Sequence, residues 1–162
     1  LSKTKLGGGA LCEHSHALNL VQYFVRHKNI KILSKQFEFN KDKKNYHDLS
    51  FGAQLRLDKT ICEFEQNFVT LPIEKKVTIF TNKKIYELIY NFENNNDCIL
   101  INDFKNVKKY KFQKERKDDF IYEAKYFVSK IKKVSNSDIL NIDHGIKTME
   151  IILKLINKIK LN

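Results

Sequence analysis

Three polar side chains near the beginning of the chain have the types and the spacing that proton transfer needs. Glu13, His16 and Asn19 follow one another at intervals of three, so on a helix they share one face. A carboxylate beside an imidazole fixes the imidazole tautomer and stabilises its protonated form, as a general base acting on an alcohol requires. The same spacing is also typical of a surface Glu–His pair without catalytic function. The spacing alone therefore leaves both interpretations open.

A single helix is predicted to carry these residues. Apolar side chains recur at helical spacing from Ala10 to about Arg26, at Leu11, Leu18, Val21 and Val25. The preceding Gly7-Gly8-Gly9 run gives the backbone freedom for a sharp turn or for the close approach of a ligand. On that helix His14 would point away from Glu13 and His16.

The middle of the chain changes to the period of a strand. From Leu49 to Leu57 apolar residues alternate strictly with polar residues and glycine, which predicts a strand with one face in water. Less regular stretches predict six more strands, at Ile30 to Phe39, Thr60 to Val69, Lys76 to Phe80, Ile85 to Tyr90, Cys98 to Ile101 and Val107 to Phe112. Short polar turns separate most of them, so the strands should form one continuous antiparallel sheet.

Two helices are predicted after the strands. The first runs from about Lys117 to Val134, and the second carries a stripe of Ile146, Met149, Ile152, Leu153, Ile156 and Ile159, with Asp143 or Asn141 as its N-cap. His144 would serve the beginning of this last helix, and His27 and His47 are interpreted as surface residues. The order of elements predicts an α+β fold: a large, mostly antiparallel sheet with helices packed on one face, in one domain covering residues 1–162.

Several of these segments resemble the Gfo/Idh/MocA oxidoreductases. The run Gly-Gly-Gly-Ala-Leu-Cys-Glu-His-Ser-His-Ala-Leu-Asn at 7–19 is similar to the opening of that family's second domain. Phe120, Glu123 and Phe127 look like its Phe-x-x-Glu-x-x-x-Phe helix, and Asp143-His144-Gly145 resembles the beginning of its last helix. The resemblance implies the family's C-terminal domain, which is like that of glyceraldehyde-3-phosphate dehydrogenase.

The resemblance also implies a site and a reaction. His16 matches the family's catalytic histidine, Glu13 matches the acidic residue before it, and Asn19 stands where many members have a substrate-side Asp. The implied reaction is hydride transfer between NAD or NADP and a sugar or nucleotide-sugar alcohol, with His16 moving the hydroxyl proton. No metal is implied. The family's open sheet implies a homodimer or higher homo-oligomer formed through the sheet face.

The dinucleotide-binding half of such an enzyme has no counterpart in the sequence. A strand, a Gly-x-Gly-x-x-Gly turn and a helix are needed to hold the pyrophosphate, and Gly7-Gly8-Gly9 lacks that spacing. We therefore expect an N-terminal Rossmann domain to be absent from these 162 residues, and the fragment alone to be inactive.

Charge and composition leave one alternative function. The net charge of +11 suggests a non-enzymatic basic module for nucleic acid or another acidic polymer, but the lysines are dispersed, which favours a solvated surface and makes nucleic acid the less favoured partner. No apolar run approaches the length that a membrane span needs. Cys12, Cys62 and Cys98 lie far apart without a Cys-x-x-Cys pair, so reduced thiols and a cytoplasmic location are expected.

Overall fold

A computed structural model describes residues 8–25, 27–40, 47–91, 96–113, 115–132 and 142–157 of the chain. Four helices are present in these ranges: α1 (Ala10–Glu13), α2 (His16–Phe24), α3 (Arg116–Ile131) and α4 (Ile142–Ile156). Seven strands accompany them: β1 (Ile30–Phe39), β2 (Asp48–Leu57), β3 (Thr60–Asn67), β4 (Lys75–Phe80), β5 (Ile85–Tyr90), β6 (Asn96–Asn102) and β7 (Val107–Gln113). The predicted α+β class is confirmed.

The strands form two antiparallel sheets, so the prediction of one continuous sheet was wrong. β1, β2 and β3 pair in that order, and β4, β5, β6 and β7 pair in a second meander. Residues 68–74, between β3 and β4, belong to no strand and include Pro72. Proline has no backbone N–H to donate to a ladder, and it interrupts strand pairing here. The elements group into two compact units: α1, α2, β1–β3 and α4 form the first, and β4–β7 with α3 form the second.

The first sheet buries the face that the alternation of β2 predicts. Phe51, Leu55 and Leu57 are almost completely buried, whereas Arg56 lies exposed on the opposite face. Paired residues of antiparallel strands share a face, so the pairings of Phe37 with Phe51 and of Ala53 with Phe64 extend this apolar surface onto β1 and β3. The core of the first unit therefore lies on one face of the three-stranded sheet.

Helices α1, α2 and α4 cover that face. Leu11, Leu18, Ile151, Ile152 and Leu155 join the sheet residues in one buried cluster. The predicted stripe of α4 was only partly right: Ile152 is buried, but Ile146, Met149 and Leu153 are exposed, and the buried face is instead Thr148, Ile151, Ile152 and Leu155. Asp143 lies inside the first turn of α4 and is therefore not its N-cap, while Asn141 and Ile159 lie outside the described residues.

Two polar contacts fix α4 within the first unit. Gln22 Nε2 on α2 donates to Thr148 Oγ1 at 2.6 Å, and Thr148 Oγ1 in turn donates to the backbone oxygen of His144 at 2.9 Å. At the other end of α4, the ammonium of Lys35 donates to the backbone oxygens of Leu155 and, at 2.7 Å, Asn157. A cation at a helix C-terminus satisfies orphan carbonyls and opposes the negative end of the helix dipole.

The second unit keeps much of its apolar surface exposed. The register places Val77, Ile79, Tyr86, Leu88, Ile99, Ile101 and Tyr110 on one face of β4–β7. Helix α3 begins with a capping box, in which the Glu115 backbone N–H donates to the Asp118 carboxylate at 2.9 Å. Its apolar stripe, predicted from the helical period, includes the exposed Phe120, Phe127 and Ile131. Among the described helices, all fall short of the length and apolarity that crossing a bilayer requires.

Candidate active site

The glycine run leads into a short helix that a distant aspartate caps. The Asp48 carboxylate, fully buried at the beginning of β2, accepts the Leu11 backbone N–H through Oδ2 at 2.8 Å. Gly9, the N-cap of α1, has φ 97° and ψ 171°, a conformation essentially restricted to glycine. A Cβ at Gly9 would lie 1.9 Å from Asp48 Oδ1. Glycine is therefore required there both by the backbone and by the close approach of Asp48.

The other end of α1 is held by Gln66 from β3. Gln66 Nε2 donates to the backbone oxygen of His14 at 2.7 Å, directly after the last helical residue, Glu13. The same His14 oxygen accepts the Ala17 backbone N–H at 3.1 Å, which is a bond of the following helix. His14 and Ser15 thus form a turn between two helices, and the prediction of one helix from Ala10 to Arg26 was wrong.

This turn separates the predicted site residues. Glu13 ends α1, whereas His16 begins α2 and Asn19 lies within it. The Glu13 carboxylate reaches back to the Gly9 backbone N–H at 3.4 Å. Glu13 and His16 are both exposed and Asn19 is half-buried, and in the described part of the chain no hydrogen bond or ion pair joins the three side chains. In the structure, Glu13 and His16 therefore do not form a hydrogen-bonded pair.

Cys12 and His14, which are close to His16 in the sequence, are half-buried. The His14 ring packs on Phe68, with ring centroids 4.9 Å apart. Burial, reinforced by the carboxylates of Asp48 and then Glu13, raises the pKa of the half-buried Cys12 thiol. At neutral pH this cysteine is therefore protonated, and a protonated thiol is a poor nucleophile and a poor metal ligand. Within the described ranges, no group of three or more His, Cys, Asp or Glu side chains could hold a metal ion.

The polar residues that hold this site were missed in the sequence. Asp48 lies outside the alternating pattern of β2, at the point where the β1–β2 register shifts, so no periodic signal marks it. Gln66 does carry a signal, because it occupies a buried position two residues after Phe64 on β3. The interpretation of His47 as a surface residue was wrong: its side chain is buried, and its backbone N–H bonds the Asn40 side chain at 3.2 Å. His27 is half-buried, with Nδ1 2.9 Å from the Val25 oxygen.

The fold and this corner define the chain as an α+β protein with an exposed histidine at the beginning of α2. Comparison with protein-family models gives no match, and comparison with curated proteins gives no significant match.

Proposed function

We propose that this chain is the substrate-side domain of an NAD(P)-dependent oxidoreductase acting on a sugar or nucleotide-sugar hydroxyl or carbonyl. The observation that carries the proposal is the exposed His16 imidazole at the beginning of α2, directly after a glycine-led helix fixed to the sheet at both ends. An acid–base group must be accessible to substrate, and the exposed His16 imidazole meets this condition. The backbone before it is bound to the sheet through α1. The residue pattern at 7–19, which resembles the Gfo/Idh/MocA oxidoreductases, supports the same assignment.

The role assigned to this chain is proton transfer and substrate orientation. In the oxidative direction, His16 would take the proton of the reacting hydroxyl, and it would return that proton in the reductive direction. Glu13, one turn away and exposed, would stabilise the imidazolium once substrate excludes water from the corner. Asn19 would donate or accept a hydrogen bond from a neighbouring hydroxyl of the sugar.

The cofactor does not fit the described residues. All strand pairs in the described ranges are antiparallel, so these residues contain no parallel βαβ unit of the kind that holds a dinucleotide. The proposal places the cofactor in a separate dinucleotide-binding domain and the proton chemistry on this chain, in the cytoplasm.

Replacement of His16 tests the proposed function. In a polypeptide that carries both this chain and the dinucleotide-binding domain, His16→Ala should lower kcat by about 10²–10⁴-fold, the usual contribution of a general acid–base group. His27→Ala is the control, because His27 lies beyond α2 and should leave turnover near the wild-type value. Circular dichroism should show both variants folded. Turnover that survives His16→Ala would refute the assignment.

A homodimer through the second sheet is part of the proposal. The face of β4–β7 that contains Leu88 carries eight aliphatic or tyrosyl side chains, the seven given above and Tyr90; Tyr110 is exposed and the others are half-buried. A sheet face that leaves this many apolar side chains incompletely buried is a surface that a second subunit could cover. Leu88→Lys places a charge in the centre of that face and should convert a dimer to a monomer in size-exclusion chromatography with light scattering. Thr78→Lys is the control: it adds the same charge to the opposite face and should leave the dimer intact. A wild-type chain that is monomeric at high concentration would refute the homodimer.

The exposed strand β7 favours a second candidate function. Every residue of β7 is exposed, and Lys108, Lys109 and Lys111 alternate there with Tyr110 and Phe112. Lysines interleaved with aromatic rings are typical of surfaces that bind single-stranded nucleic acid. A non-enzymatic basic module would bind labelled RNA or DNA with an affinity that falls steeply with salt. If neither probe binds at low salt, this alternative is excluded.

A further inference from the structure

The one-turn helix α1 is clamped by two buried side chains from neighbouring strands. Asp48 on β2 accepts the Leu11 N–H at its N-terminal end, and Gln66 on β3 donates to the His14 oxygen at its C-terminal end. Asp48 is fully buried and Gln66 is 8% exposed. A single turn of helix has too few internal hydrogen bonds to be stable alone, so contacts with the sheet must hold it.

The second clamp touches the residue at which the next helix begins. The His14 oxygen is shared between Gln66 Nε2 at 2.7 Å and the Ala17 backbone N–H at 3.1 Å. It therefore joins the sheet to the first turn of α2, where His16 is located. A shift of this oxygen would change the direction of α2 and move the His16 side chain with it.

We propose that Asp48 and Gln66 are positioning residues that fix where the His16 imidazole is presented to substrate. This inference rests on the proposed function of His16 and adds to it the two groups that orient the histidine. Neither residue contacts substrate or reacting atoms in this proposal. Each acts through the backbone of α1: Asp48 through an amide donor and Gln66 through a carbonyl acceptor.

The chain offers a matched control for Gln66. Gln22 is also a buried glutamine, with 5% exposure, and its Nε2 also donates one hydrogen bond, to Thr148 Oγ1 at 2.6 Å. In both side chains Oε1 is buried without a hydrogen-bond partner in the described part of the chain. Replacement of either residue by Met keeps the length of the side chain and removes one comparable bond. Only the bond of Gln66 belongs to α1.

NMR spectroscopy of the 162-residue chain tests the inference without any assay of turnover. Gln66→Met should shift the His16 ring Cε1–Hε1 resonance and increase amide exchange at Leu11 and Glu13 at least about ten-fold, the loss expected for one buried hydrogen bond. Gln22→Met, on α2 itself, should leave the Leu11 and Glu13 amides unchanged while lowering global stability by a similar amount. A His16 resonance that Gln66→Met leaves unchanged, or equal effects of the two variants on these amides, would overturn the inference.

Asp48 is tested by graded replacement. Asp48→Asn keeps an oxygen that can accept the Leu11 N–H, whereas Asp48→Ala removes it, so the Asn variant should retain more of the α1 amide protection. Equal loss in the two variants would show that the carboxylate does not act through this bond. If the Ala variant fails to fold, Asp48→Leu takes its place, because leucine has a similar shape and offers no acceptor: Leu11 amide protection equal to that of Asp48→Asn then contradicts the role of Asp48.

Turnover measurements separate this inference from the proposed function. In the polypeptide with its dinucleotide-binding domain, Gln66→Met should lower kcat about ten- to a hundred-fold with little change in KM, since misplacement of a reacting group affects the chemical step. A raised KM with unchanged kcat would contradict positioning. If His16→Ala is fully active, the proposed function fails, whereas the NMR comparison still decides whether Asp48 and Gln66 hold His16.

Discussion

Replacement of Gly9 by alanine is the sharpest test of the α1 corner. Gly9 has φ 97° and ψ 171°, and a Cβ built there lies 1.9 Å from Asp48 Oδ1 and 2.6 Å from Asp48 Cγ. The Asp48 carboxylate is fully buried between the sheet and α1, so it is not the free end of a mobile side chain. Gly9→Ala must therefore strain the backbone and displace the buried carboxylate that caps α1.

The expected loss of stability follows from these two effects. A non-glycine residue in this backbone region costs about 1–3 kcal/mol. Displacement of Asp48 also breaks its hydrogen bond to the Leu11 N–H, and a hydrogen bond to a charged group contributes about 1.5–3 kcal/mol. The free energy of unfolding should therefore fall by about 2.5–6 kcal/mol, a large part of the roughly 5–15 kcal/mol typical of a domain.

Urea denaturation followed by circular dichroism measures this loss. With a typical slope of about 1–3 kcal/mol per molar urea, the midpoint of Gly9→Ala should fall by at least about 1 M. Gly145→Ala on α4 is the control, because a Cβ there meets nothing within 4 Å and the substitution removes a glycine from a helix. The control should be neutral or stabilising by about 0.5–1 kcal/mol. A Gly9→Ala midpoint equal to that of wild type would refute the argument.

Three further predictions concern other contacts of the chain. Lys35→Met removes the ammonium bonded to the last carbonyls of α4 and should lower the unfolding free energy by about 1–3 kcal/mol, more than the exposed Lys31→Met on the same strand, in urea denaturation. Equal losses in the two lysine variants would contradict the cap. The backbone N–H of Lys28, together with Asn29, lowers the pKa of the Asp58 carboxyl. The ionised Asp58 carboxylate therefore stabilises the fold above pH 3.8, and this stabilisation is lost as the pH falls below that value. Asp58→Asn should therefore show a smaller difference in urea midpoint between pH 7 and pH 3 than wild type, and an unchanged difference would contradict this. Burial raises the pKa of the Cys12 and Cys62 thiols, so iodoacetamide at pH 8 should alkylate them more slowly in the folded chain than in urea, and stability should fall as the pH rises above 9.0. Alkylation rates that are the same with and without urea would contradict the burial of these thiols.

The sequence by itself determined the elements whose patterns are local. Strict alternation in β2 identified its buried face correctly, because a strand with one face on a core needs an apolar residue at every second position. The strands β1 and β5 follow the predicted bounds, and α3 lies close to its predicted range, since turns and helical periods are read from neighbouring residues. The α+β class follows from the order of these elements.

Only the tertiary structure decided how the candidate site is built. The two ends of α1 are bound by Asp48 and Gln66, which are 37 and 52 residues away from the backbone groups that they bind. No helical period encodes a contact at such a separation, so the sequence predicted one unbroken helix carrying Glu13, His16 and Asn19. The split into two sheets and the burial of His47 likewise depend on which strands and side chains meet after folding. Local patterns predict most of the secondary structure, but the side chains that bind the ends of α1 come from distant parts of the chain.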